Sequence, residues 1–397
     1  MAASAKTHQE QSSDPLQLEN FDDPNEEDEE SIDPSSYRGM VVGASDWTVQ
    51  TLISQIRARN IDLAPRYQRR SAWNDVKRSR YIESLILGVP VPQLVLAEQA
   101  DKQGRFVVID GKQRLLTIAG LDELSYSFWT ARRLKGLLSL NDLDGISIDD
   151  FLIEPRFADY RRRLDNRSIR AALIVGFKTD DVLYDIFYRL NSGSVPLSGQ
   201  ELRQTLLRGP FTDYLFDVTN RHQPIHDVMN IKGPDQRMYD AELVLRFLAE
   251  SLGVVSYAGN LKKYLDDTTT TFNENWERDE PRVKVAYDDL NRGIEHLTKL
   301  LNANEVGRRR LANRFEGRLN KALLEVELYY FSKLNSVAKS KTASFDGALK
   351  ELCARRSFAN SIETTTKSVE RFRTRFTLFG KEFTKIFRHT IDLPLIK

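Results

Sequence analysis

The sequence predicts an α/β (α+β) domain followed by an all-α domain. Three short apolar runs, LVLA at 94–97, FVVI at 106–109 and AALIVGF at 171–177, are strand candidates confined to the first half. Beyond about residue 210 only helical spacing recurs, in AELVLRFLAESL, YDDLNRGIEHLTKLL, LNKALLEVELYYFSKL, FDGALKELCARR and KSVERFRTRFTLFGKEFTKIF. Residues 1–36 have no periodicity and are rich in Asp, Glu, Ser and Pro, the composition of a disordered tail. The expected organisation is therefore a tail over 1–36, a strand-bearing domain over 37–210 and a helical domain over 211–397.

Order is expected to begin near Trp47. Val49, Leu52, Ile53 and Ile56 fall at helical spacing behind Thr48, a good N-cap. A second helix carries Val76, Tyr81, Ile82, Leu85 and Ile86 on its apolar face, with Asn74 or Asp75 as cap and Gly88 and Pro90 as its end. The runs at 94–97 and 106–109, joined by a polar loop, read as a hairpin of buried strands. Helical spacing resumes at Leu115, Leu116, Ile118 and Ala119, and returns after the third run in DVLYDIFYRLN. Ser198, with Glu201 three residues on, forms a capping box for GQELRQTLLRG.

With 41% hydrophobic and 29% charged residues, the chain has the make-up of a soluble globular protein. No apolar run approaches a membrane span and the N-terminus lacks a signal-peptide pattern, so a cytoplasmic, intracellular location without membrane association is expected. The single cysteine, Cys353, excludes an intramolecular disulfide and a thiolate metal cage. A net charge of +1 hides an asymmetry: residues 1–36 hold eleven acids against one base, Lys6, which leaves the remainder at +11. That body is compatible with a polyanionic partner, which the acidic arm could mimic by folding back, but a solvated disordered tail on a mildly basic protein is the favoured reading.

Asp110-Gly111-Lys112-Gln113-Arg114 lies between an apolar run and a helix. Strand, glycine turn and helix is the arrangement that aims backbone N–H groups at an anion. Gly111 permits close backbone approach, Lys112 adds charge, and Arg114 can grip phosphate with two parallel donors. Asp110 is a candidate Mg²⁺ ligand, and Gln113 can bind phosphate or water. Asp-Gly is also an ordinary turn dipeptide, so the five residues alone fit a solvated turn as well.

RFVVIDGKQRLLTI resembles the DGQQR signature of the DUF262 family, the N-terminal domain of GmrSD-type modification-dependent restriction systems. RYQRRSAWNDVKRSRYIESLILGVPVPQLVLAE and IFYRLNSGSVPLSGQELRQTLLRG are similar to that family's first and last blocks, and LKGLLSLNDLDGISIDDF to its variable middle one. The resemblance spans roughly 47–210. It implies a ParB/sulfiredoxin-like fold and a nucleotide pocket that binds and hydrolyses ATP, GTP or CTP, with Mg²⁺ as candidate cofactor. Carried over, Asp110, Gln113 and Arg114 are the catalytic candidates. Arg66, Gln68, Arg69, Glu83, Gly111, Lys112, Arg189 and Asn191 are the nucleotide-binding ones. Lys112 stands where the family more often has Gln, which keeps a donor and removes an acceptor. Glu83 also suits the anchoring of a backbone turn.

The resemblance further implies coupling to DNA, modified or not, or to a partner protein in defence against foreign DNA, with a nuclease subunit acting in trans. Two alternatives stand beside NTP hydrolysis: a non-catalytic module switched by nucleotide, and a ParB-like DNA nuclease. No HNH-type nuclease pattern accompanies the domain. The histidines of the second half are His222, His226, His296 and His389. His222 and His226 flank Pro224 without a glutamate after the first, which suits loop histidines better than a zinc helix. Sulfiredoxin chemistry needs a cysteine where Lys112 stands. In RFRTRFTLFGKEFTKIFRH the helical spacing of Phe372, Phe376, Phe379 and Phe383 favours a core face over base stacking.

Overall fold

The computed structural model describes residues 34–63, 73–99, 102–122, 129, 131–177, 180–191, 198–363 and 366–397. Its first half is built on a five-stranded mixed sheet in the order β1-β5-β3-β4-β2. The strands are β1 (Val41–Thr48), β2 (Ile61–Asp62), β3 (Leu94–Glu98), β4 (Phe106–Asp110) and β5 (Ser168–Val175). The expected hairpin is present: β3 and β4 pair antiparallel, with Leu96 opposite Val108 and Glu98 opposite Phe106. β5 runs parallel to β3 and antiparallel to β1, and β2 runs parallel to β4.

Two of these strands differ from the sequence expectation. Order extends back past Trp47 to a short 3₁₀ turn, Pro34–Tyr37, and through β1. β1 is an edge strand whose first four residues are exposed, so it has no apolar run to announce it. β2 is two residues long.

Helices cover both faces of the sheet. Along β3 the side chains alternate: Leu94 and Leu96 face one core, Val95 and Ala97 another. The first face packs on α1 (Val49–Arg57), α2 (Asp75–Leu87), α3 (Lys112–Ala119), α4 (Ile148–Ile153) and α5 (Ala158–Asp165) through Leu52, Ile82, Leu115, Phe151 and Leu164. The second face packs on α6 (Asp180–Asn191) and α7 (Gly199–Leu206) through Leu183 and Leu202. Local chemistry fixes the helix ends. Thr48 caps α1 by accepting the Thr51 N–H, and Asn74 caps α2 by accepting the Lys77 N–H. Gly88 closes α2 at φ 80°, where a side chain would be strained.

From α8 (Pro210–Thr219) onward the described residues hold helices and two isolated bridges, Tyr257 to Ile396 and Arg310 to Phe315. This body continues through α9 (Pro224–Met229), α10 (Tyr239–Leu252), α11 (Leu261–Glu274), α12 (Trp276–Thr298), α13 (Lys321–Phe331), α14 (Thr342–Ala354), α15 (Arg356–Glu363) and α16 (Val369–Phe387). α10 and α13 are buried along nearly their whole length. Their charged residues pair inside the body: Arg246 bonds Glu242 and Glu325, each at 2.7 Å, and Arg375 of α16 bonds Glu325 at 2.9 Å. Phe372, Phe376, Phe379 and Phe383 are all buried, as their spacing suggests.

The expected boundary at 210 falls at the first residue of α8, and side chains cross it. Arg203 of α7, 3% exposed, reaches Asp266 of α11 at 2.6 Å. The Ser198 hydroxyl likewise donates to the Arg237 carbonyl across it, whereas Arg208 pairs with Asp62 of β2 within the first half. Among the described residues no helix is long and apolar enough to cross a membrane.

Candidate functional site

β4 delivers Asp110 to the end of the sheet, and the chain turns into α3 within one residue. Gly111 makes that turn at φ 96°. A Cβ there would lie 2.4 Å from Leu94 Cδ2 and 3.1 Å from Arg114 Nη2, so conformation and space both require glycine. Gly111 is also the N-cap of α3 and offers no side chain to its first-turn N–H groups. The positive end of the helix dipole therefore opens at this corner.

Asp110 and Arg114 close the turn on themselves. Asp110 Oδ1 accepts the Gly111 N–H at 2.7 Å, and Oδ2 accepts from Arg114 Nη2 at 2.7 Å. Nη2 also donates to the Gln93 carbonyl at 3.2 Å. The Arg114 side chain is 11% exposed, while that of Asp110 is 38% exposed. Arg114 Nε is buried without an acceptor. Close by, Tyr81 of α2 is buried, and its hydroxyl likewise has no hydrogen-bond partner. Burial raises the Tyr81 pKa, and the Arg114 guanidinium pulls it partly back.

Lys112, half-buried at the head of α3, is the third cationic feature. Desolvation lowers its pKa, and the nearby Glu201 carboxylate on α7 opposes this. Glu201 itself is pushed up to about 7 by burial, against the Ser198 N–H, Lys112 and Arg237, while Asp235 adds to the rise. Its Oε2 completes the expected capping box by accepting the Ser198 N–H at 2.8 Å. The corner thus brings together Asp110, Gly111, Lys112 and Arg114, with Gln113 in the first turn of the same helix.

The remaining sequence candidates have other placements. Glu83, 5% exposed, accepts the N–H groups of Leu138, Ser139 and Leu140 at 3.0, 2.7 and 2.8 Å. Burial raises its pKa, but these bonds and Arg80 outweigh it and leave the carboxyl below its ordinary value. Its place is the anchoring of that backbone turn. Arg189 bonds Asp185 at 2.7 Å on α6, its side chain 75% exposed, and Tyr37 donates to the same carboxylate. Arg66, Gln68 and Arg69 lie outside the described residues, as does the side chain of Asn191.

Two neighbours of the corner escape a reading by sequence. Tyr81 fits the apolar face of α2, and Glu201 is fully accounted for by its capping box. Nothing in either pattern signals proximity to Arg114 or Lys112. Reading His226 as a loop residue needs correction: it lies in α9 and is fully buried. Its Nδ1 accepts the Gln223 N–H at 2.8 Å, so Nε2 carries the proton toward Asp240 Oδ2 at 2.9 Å. The pair ties α9 to α10. Among the described residues no group of three or more His, Cys, Asp or Glu is placed to hold a metal.

The geometry defines a mixed α/β domain with a strand–glycine–helix corner rich in cationic donors, followed by a helical body. Residues 49–208 match the family model for the GmrSD restriction endonuclease, N-terminal domain. The chain therefore carries a GmrSD-type N-terminal domain, which sets it in the context of restriction systems. No curated protein and no solved structure matches it.

Proposed function

We propose that the corner from Asp110 to Arg114 binds the phosphates of a nucleoside triphosphate and promotes its hydrolysis, within a ParB/sulfiredoxin-like domain. The observation that carries this reading is Arg114: a buried guanidinium held by Asp110 and the Gln93 carbonyl, with its Nε–H still lacking an acceptor. Phosphoryl transfer asks a protein mainly for positioning and for neutralisation of charge. Arg114, Lys112 and the N-terminus of α3 supply the charge, and the Asp110–Arg114 pair fixes the direction of the donors. Gln113, in the first turn, is the candidate for orienting water.

Mg²⁺ would neutralise phosphate charge in this setting. Asp110, 38% exposed, is the residue suited to hold it. With no three-ligand cluster among the described residues, such an ion would take its remaining oxygens from phosphate and water. DNA, or a nuclease subunit acting in trans, fits the restriction context as the partner.

The test is release of inorganic phosphate from ATP, GTP or CTP by the purified chain, compared with Arg114→Ala. Turnover that the substitution abolishes supports hydrolysis. Binding without turnover above that of the variant removes it and leaves a nucleotide-switched module. A specific feature favours that second reading: α7 sets Glu201 beside Lys112 and anchors Arg203 on Asp266 of the helical body. Metal-dependent nicking of plasmid, lost in Arg114→Ala, would instead favour a ParB-like nuclease.

A further inference from the structure

We propose that Tyr81 is a ligand-binding residue of this corner, its hydroxyl joining the Arg114 Nε–H as a pair of donors to an anionic oxygen of the bound nucleotide; the proposal rests on the nucleotide reading above. Tyr81 is 7% exposed and Arg114 9% exposed, and the Tyr81 hydroxyl and Arg114 Nε are buried without a hydrogen-bond partner. A buried hydroxyl left unpaired is costlier than the phenylalanine that would fill the same space. The ring alone would serve the packing, since it sits edge-on to Trp73 with centroids 5.6 Å apart. The hydroxyl therefore calls for a partner that these contacts do not supply.

The two orphaned donors come from α2 and α3, two helices that pack together. The Arg114 charge is near enough to act on the Tyr81 hydroxyl. Burial keeps that hydroxyl protonated, so it enters as a donor. An anionic oxygen accepting from both would be held by one charged and one neutral bond, beside the N-terminus of α3. A planar, packed phenol adds a second fixed direction to the one that the Asp110–Arg114 pair sets.

The experiment is isothermal titration of the full chain with ATP, GTP and CTP in the presence of Mg²⁺. It compares the natural sequence with Tyr81→Phe and Arg114→Ala and adds thermal melts of each free protein. Tyr81→Phe is expected to bind the preferred nucleotide about tenfold more weakly, the loss of one hydrogen bond to a charged acceptor. Its melting temperature without nucleotide should equal or exceed that of the natural protein, because an unpaired buried hydroxyl has gone. Unchanged affinity in Tyr81→Phe, with affinity lost in Arg114→Ala, overturns the role of Tyr81 and leaves the nucleotide reading intact. Weaker binding with a lowered melting temperature also overturns it, since the hydroxyl then supports the fold. Failure of the natural protein to bind any of the three removes both.

Discussion

Asp110 Oδ2 accepts the Nη2–H of Arg114 at 2.7 Å, one helical turn along the chain. The contact joins the last residue of β4 to the first turn of α3 and holds a buried cation in place before any ligand arrives. Preorganisation of this kind spares a site the cost of ordering its donors at the moment of binding. Removing the guanidinium should therefore act on fold and ligand together. Arg114→Ala is expected to lower stability by about 1–3 kcal/mol, read from urea denaturation at neutral pH, besides abolishing nucleotide binding.

Gly111→Ala should destabilise by about 1–3 kcal/mol through its left-handed backbone alone, with the Leu94 contact added. The comparison of urea midpoints with that of Gly104→Ala separates the two causes. Gly104 is also left-handed, at φ 78°, but nothing lies within 4 Å of its virtual Cβ. Equal losses at the two positions would remove the packing argument.

Glu83→Gln should cost about 1–3 kcal/mol, because an amide accepts the three backbone N–H groups less well than a carboxylate does. The Glu83 pKa is below its ordinary value of 4.5 in the folded chain. Its contribution is thus present above that ordinary value and lost as pH falls through the lower folded one. Urea midpoints measured down the acid range should converge for the two proteins. Nucleotide titration of the variant at neutral pH should match the natural protein, in keeping with a carboxylate committed to residues 138–140.

Glu327 of α13 carries the opposite sign. It is fully buried, accepts the Gly307 N–H through Oε2 at 2.7 Å, and has no partner on Oε1. Burial pushes its pKa up to about 8, against the Gly307 N–H and Arg308. Stability from its protonated form is complete below the unfolded carboxylate value and declines as pH rises through about 8. Glu327→Gln, permanently neutral, should flatten that decline between the ordinary carboxylate value of 4.5 and about 8 in a series of urea melts. A variant that keeps the same slope would mean that another group titrates.

What was legible in the sequence follows from where the determining contacts lie. The turn from Asp110 to Arg114 is a local object, so the strand, the glycine and the arginine are visible within five residues. The caps at Thr48, Asn74 and Ser198 are local in the same way. β1 was hidden because its pairing with β5, 120 or more positions away, holds an exposed edge strand that needs no apolar pattern. The neighbours of Arg114 and Lys112 were hidden for a related reason. Tyr81 and Glu201 each satisfy a nearby rule, apolar helix face or capping box, and only the packing of α2 and α7 brings them to the corner. Glu83 shows the converse: the turn it anchors lies 55–57 residues downstream, beyond the reach of any motif.

The double attachment of α7 bears on how this chain can be cut and recombined. One side of that helix completes the sheet's second core through Leu202, while Arg203 is buried against Asp266 and, at 3.9 Å, Glu242. A fragment ending near residue 210 would keep the helix and lose both carboxylates, uncovering to water an arginine side chain and a helix face that are buried in the full chain. The seam at which the family match stops is therefore a poor place for a fusion or a domain exchange. Transplanting the first half onto another partner would need a surface that again offers Arg203 an acid, and that requirement travels with the helix.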